Sequence, residues 1–162
     1  MNKLKKSLML MAVMVLVAPV AFFLQGCSGE GGYWTASDGE YTFHSVAFGN
    51  NVITDIHDIG LLGLPPVIDG MPISEIVDYL AAIITQTRFV VEGSEFREYL
   101  GHHQMDRFEH RVRWDGMIES YWGDGQWEPE GYGEYGMFYQ NGIIEMRFPV
   151  EGQFISFRFM RQ

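Results

Sequence analysis

Residues 108–122 read FEHRVRWDGMIESYW, and this stretch decides the fold class of the chain. Before its central Asp115-Gly116 pair, large hydrophobic side chains and His110 alternate with charged ones, which is typical of a β-strand with one buried face. An Asp-Gly pair between two such runs is typical of a tight hairpin turn. The stretch therefore predicts two antiparallel strands joined at residues 115–116.

Similar patterns follow and precede this hairpin. A second hairpin is predicted around Asn141-Gly142, a last strand begins near Phe154, and an earlier hairpin covers residues 40–57. One clear helix is predicted at residues 74–86, with Ser74 as its N-cap. Residues 94–100 fit either a short helix or a strand. We therefore expect a mostly β chain, an antiparallel meander that closes into a barrel with one inserted helix. The alternative is an α+β fold in which the helix packs on an antiparallel sheet.

The N-terminus has the three parts of a secretory signal. Three lysines lie among the first six residues, 17 uncharged residues follow at 8–24, and Leu24-Gln25-Gly26-Cys27 ends the run. The uncharged run is shorter than the roughly 20 residues of a membrane-spanning helix. The Leu-x-Gly-Cys motif resembles the lipobox of bacterial lipoproteins. That resemblance implies cleavage between Gly26 and Cys27 and lipid attachment to the Cys27 sulfur.

These observations predict three segments: a signal peptide at 1–26, a lipidated tether at 27–32 and a single β-rich domain at 33–162. All three lysines lie in the first segment. The remaining chain carries 8 arginines against 21 acidic residues, a net charge of −13. Nucleic acid is a poor partner for such a domain. The absence of lysine after residue 26 excludes a P-loop and a Schiff base. The absence of a free cysteine excludes a disulfide and a cysteine-based zinc site, and no cofactor is expected.

A second resemblance concerns the β domain. Gly32-Tyr33-Trp34, Tyr41-Thr42-Phe43 and Gly49-Asn50 follow one another as in small bacterial lipoproteins with lipocalin-like domains. The resemblance implies a β-barrel, and the many aromatic residues favour a binding function. Aromatic side chains of a small barrel can line an apolar cavity. The candidate pocket residues are the four tryptophans, Trp34, Trp114, Trp122 and Trp127.

Metal and catalytic sites receive weaker support. His103, Asp106 and His110 would share one face of a helix and could then bind a metal ion, but residues 108–114 have the pattern of a strand, so no metal site is predicted. Neither a nucleophile motif nor a distinctive carboxylate pair stands out. We therefore expect a lipid-anchored protein of the cell membrane or outer membrane, not an enzyme. Its expected partners are the bilayer and a small apolar ligand or an envelope protein. The alternatives are a structural or interaction protein of the envelope without a ligand, and third an enzyme or metal-binding protein.

Overall fold

The computed structural model describes residues 32–68, 70–132 and 135–162. The predicted signal peptide, its cleavage site and Cys27 lie outside these ranges. The described elements are mostly strands. In chain order they are β1 (Gly39–Phe48), β2 (Asn51–Ile53), a 3₁₀ helix (Ile56–Leu62), β3 (Val67–Ile68), β4 (Met71–Pro72), α1 (Ile73–Ile84), β5 (Thr87–Glu92), β6 (Glu95–Leu100), β7 (His103–Val112), β8 (Ile118–Tyr121), β9 (Trp127–Pro129), β10 (Gly131–Tyr132), β11 (Tyr135–Gln140), β12 (Ile143–Val150) and β13 (Gln153–Arg161).

The fold is a nine-strand, antiparallel and nearly closed barrel with a short inserted helix, as the sequence predicted. The strand order is β10-β11-β12-β13-β1-β5-β6-β7-β8-β9, which is nine strands when the short β9 and β10 are counted as one. The strands β9 and β10 are almost continuous, and the first pairs with β8 while the second pairs with β11. A bridge between Met117 and Phe138 joins the same two walls directly. This seam brings the two ends of the sheet together.

Turn chemistry accounts for the local pairings. In the β11–β12 hairpin, Asn141 and Gly142 have φ of 54° and 79°, the left-handed conformation that a two-residue turn of the favoured type requires. The turn at Asp115-Gly116 lies where it was predicted but is longer. The strands part after Val112, and the Arg113 N–H bonds to the Met117 carbonyl. Trp114 therefore belongs to a turn and not to a strand.

Two details of the prediction need correction or completion. The helix begins at Ile73, and Pro72 occupies the N-cap position without a side-chain capping hydrogen bond. Ser74 is therefore not the N-cap, as had been predicted, but lies inside the first turn. The physical reason is that β4 runs directly into the helix and the Ile73 N–H bonds to the Pro66 carbonyl. Residues 94–100, left open between helix and strand, form β6, because every residue from Glu95 to Leu100 has a partner on β7.

The barrel has two ends, which we name by their distance from residues 32–38. The proximal end holds residues 32–38 and the turns at 93–94, 113–117 and 141–142; the distal end holds the 3₁₀ helix, α1 and the turns at 49–50, 101–102 and 151–152. Val77, Ala81 and Ile84 of α1 belong to the same buried core as the inner residues of the strands. The helices therefore cover the distal end of one continuous core.

Candidate functional site

The barrel interior is filled by the chain's own side chains. Phe89 is fully buried, and its ring centroid lies 4.8 Å from that of Phe159 and 5.4 Å from that of Phe96. Phe96 in turn stacks on Phe108 at 5.1 Å. Large aromatic side chains from β5, β6, β7 and β13 thus meet at the centre. This packing leaves the outer surface as the better place for a binding site.

The proximal end is closed by residues 33–38, which we call the N-terminal segment of the domain. Trp34 exchanges two backbone hydrogen bonds with Val112, of 3.2 and 2.7 Å. His110, which is almost fully buried, accepts the Ala36 N–H at Nε2, and its Nδ1 lies 2.8 Å from the Ser94 carbonyl oxygen. Burial lowers the pKa of His110, so the ring is neutral near pH 7 with Nδ1 as the donor. His110 is therefore a structural link between the N-terminal segment and the β5–β6 turn.

The three residues considered for metal binding do not come together. They lie along β7, where His103 is exposed, Asp106 is half-buried and His110 is buried. A strand rises about 3.4 Å per residue, so the two histidines are about 24 Å apart along the backbone. Within the described ranges, no group of three histidine, cysteine, aspartate or glutamate side chains has the geometry to hold a metal ion.

The carboxyl group of Glu98, which the sequence did not single out, is buried in the barrel wall near the half-buried Asp106 and Glu130. Glu98 is only 4% exposed, shares the inner face of β6 with Phe96, and is paired in register with Asp106 on β7. Burial, followed by repulsion from Asp106 and Glu130, raises the pKa of Glu98 to about 8. Burial also raises the pKa of Asp106 and of Glu130. Glu98 is therefore protonated near neutral pH, and the inner face of the barrel holds a neutral carboxyl group.

The four tryptophans occupy the surface and divide into two pairs. Trp34 and Trp114 are 44% and 74% exposed and line an open groove of about 320 Å³ at the proximal end, together with Gly116, Tyr139, Gln140 and Asn141. We call this the proximal groove. Trp122 is 41% exposed, and Trp127 is half-buried against Tyr121 at a ring distance of 5.4 Å. The predicted pocket aromatics therefore form two separate surface sites.

Of the second pair, Trp122 lines a groove in the outer wall, and Trp127 lies beside it against Tyr121. This wall groove has a volume of about 310 Å³ and is lined by Glu95, Arg107, Phe108, Glu109, Tyr121, Trp122 and Gly123. Glu95 forms ion pairs with Arg97 and Arg107 along one side of it. The groove combines aromatic side chains with an arginine and carboxylates, residue types that also meet at protein interfaces. The turn after Tyr121 and the outer face of β7 position this groove.

The Arg111 side chain holds two outer aromatic residues, Tyr33 and Trp127, in place. The Arg111 guanidinium lies 3.8 Å from the centre of the Tyr33 ring and 4.5 Å from that of Trp127. Its Nε also donates to the Glu119 carboxylate at 2.6 Å. Because cation–π contacts and a charge-assisted hydrogen bond act on one side chain, this part of the wall presents ordered aromatic surface.

Within the described ranges, no helix combines the length and the apolar character needed to cross a bilayer. Comparison of the chain with protein-family models, with curated proteins and with solved structures found no match.

Proposed function

We propose that this chain is an exported lipoprotein, anchored to a membrane through acylated Cys27, whose β domain binds an envelope protein on its outer wall. The proposal combines the lipobox-like motif, the lipocalin-like order of motifs and the geometry of the barrel. The observation that carries the binding part is the wall groove, where aromatic and charged side chains surround an open volume of about 310 Å³.

Several features favour a protein over a small apolar ligand. The core aromatic residues fill the interior, so an apolar ligand would have to displace them. The wall groove, in contrast, offers Tyr121 and Trp122 beside Arg107, residue types that dominate binding energies at protein interfaces. A chain with a net charge of −13 after residue 26 would associate faster with a partner that presents a basic surface.

The anchor is tested by replacing the proposed lipid-bearing cysteine. We expect Cys27→Ser to abolish incorporation of a labelled fatty acid and to leave the longer precursor uncleaved, because serine offers no thiolate for lipid transfer. Gel mobility and intact mass of the protein from its own host measure both effects. Ser28→Ala is the matched control and should be processed normally. A Cys27→Ser protein that is still cleaved and still labelled would refute the anchor.

The binding site is tested by photo-cross-linking in the same host. A cross-linking amino acid at position 109, beside the wall groove, is expected to trap one protein, whereas the same amino acid at exposed position 44 on β1 should not. Adding Trp122→Ala should reduce the position-109 product severalfold, because truncating a central aromatic at an interface weakens binding strongly. Equal products from both positions, or no effect of Trp122→Ala, would contradict binding at this groove.

A further inference from the structure

We infer that the proximal end of the barrel, where Tyr33, Trp34 and Trp114 are exposed, docks on the headgroup region of the bilayer to which the protein is anchored. This inference rests on the proposed function, since it requires lipid at Cys27. It concerns a different surface from the wall groove and gives the barrel a fixed orientation on the membrane.

The first argument is the reach of the chain. Tyr33 lies six positions after Cys27, and an extended chain of six steps spans at most about 22 Å. The ten-residue strand β7 is about 34 Å long, or roughly 26 Å along the barrel axis after the usual tilt. The tether is thus shorter than the barrel. A lipid at Cys27 therefore keeps the proximal end near the bilayer and cannot bring the distal end there by turning the barrel over.

The second argument is the residue content of this end. Trp114 is 74% exposed at the tip of the β7–β8 turn, Tyr33 is 52% exposed and Trp34 is 44% exposed. Tryptophan and tyrosine are the side chains that concentrate at the membrane–water interface, because each has an apolar body and a polar tip. Three such side chains near one end of the barrel leave a large aromatic surface in contact with water unless something covers it.

The third argument is that these side chains are fixed in position and that their charged neighbours are paired. Trp34 is fixed by its two backbone bonds to Val112, and Tyr33 lies against the Arg111 guanidinium. In the turn that carries Trp114, Arg113 donates to the Asp115 carboxylate at 2.6 Å. Paired charges cost less to bring near lipid than single ones. The described proximal end also has no lysine, so we expect it to dock on zwitterionic lipid without needing anionic headgroups.

The experiment uses the full acylated protein in vesicles of phosphatidylcholine that carry a nitroxide quencher near the headgroup. One variant, Trp122→Phe/Trp127→Phe, keeps only the proximal tryptophans; its matched partner, Trp34→Phe/Trp114→Phe, keeps only those of the wall. We expect severalfold stronger quenching and a blue-shifted emission for the first variant. Circular dichroism of both variants checks that they remain folded, and intact mass reports the lipid on Cys27.

The possible results separate the docking of the proximal end from the lipid anchor at Cys27. Equal quenching of the two pairs, or no quenching of an acylated protein, would overturn the docking inference while leaving the anchor intact. A blue shift that grows with protein concentration, without quenching by the nitroxide, would show that a second copy of the protein covers the proximal end. That result would also overturn the docking inference. A protein without lipid at Cys27 would refute the proposed function and, with it, the inference.

Discussion

Phe89→Ala is expected to lower the free energy of unfolding by about 3–5 kcal/mol. Phe89 is fully buried and lies between the rings of Phe96 and Phe159, so its removal leaves a cavity at the point where β5, β6 and β13 meet. The rigid neighbouring rings and strands cannot collapse into that space without breaking strand pairs. Since small domains have only about 5–15 kcal/mol of stability, this change removes a large part of it.

Equilibrium unfolding in urea, followed by circular dichroism, measures this loss. Leu61→Ala is the matched control, because Leu61 is an exposed apolar residue of the 3₁₀ helix. Its effect should stay within about 0.5 kcal/mol. A cost below about 1 kcal/mol for Phe89→Ala would mean that the centre of the barrel is loosely packed, and the interior would again be a candidate for ligand binding.

The second large effect is a dependence of stability on pH caused by Glu98. The folded-state pKa of Glu98, about 8, lies above the value of about 4.5 that the group has in an unfolded chain. Its favourable contribution is therefore fully present below pH 4.5 and is lost as the pH rises towards 8. One proton changes the unfolding equilibrium about tenfold per pH unit over this window. Asp106 and Glu130, whose pKa values are also raised, act in the same direction.

Glu98→Gln should abolish this part of the pH dependence and make the protein more stable than the wild type at pH 8–9. The glutamine amide has nearly the same shape, remains uncharged, and can donate to the neighbouring carboxylates. Unfolding curves of both proteins between pH 5 and 9 give the comparison, and Glu109→Gln on the exposed face of β7 is the control. The quantity to follow is the difference in unfolding free energy between variant and wild type at each pH. This difference cancels the effect of His110, whose pKa is lowered by folding and whose stabilising contribution is lost as the pH falls below about 6.5. A pH-independent difference for Glu98→Gln would contradict the buried acid.

Local chemistry made much of the fold predictable. The Asp115-Gly116 and Asn141-Gly142 turns are encoded by adjacent residues whose conformational preferences do not depend on the rest of the chain. The apolar spacing of residues 76–84 likewise located α1, although not its first residue. Barrel closure, in contrast, depends on β1 pairing with β13 across more than 100 residues, from Tyr41 to Arg161. The general β pattern suggested a closed sheet, but no local feature specified these partners.

The site was less predictable for a related reason. Trp114 continues the alternation of Phe108, His110 and Val112, so periodicity assigns it to the inner face; in the structure the strand ends at Val112 and Trp114 turns outward. Glu98 shows the opposite case, because a carboxyl residue between Arg97 and Tyr99 resembles a solvent-facing position. Glu98 is buried where β6 pairs with β7, and the repulsion from Glu130 that raises its pKa arises only in the tertiary structure.

The pairing of β1 with both β5 and β13 has a consequence for the order of folding. A chain that emerges N-terminus first, from a ribosome or through a narrow channel in a membrane, presents β1 long before β13 exists as a partner. Contacts between residues so distant in sequence form late and slow the search for the native state. Such a chain stays unclosed until the nine-residue strand β13 is free, which makes β13 the trigger for barrel closure.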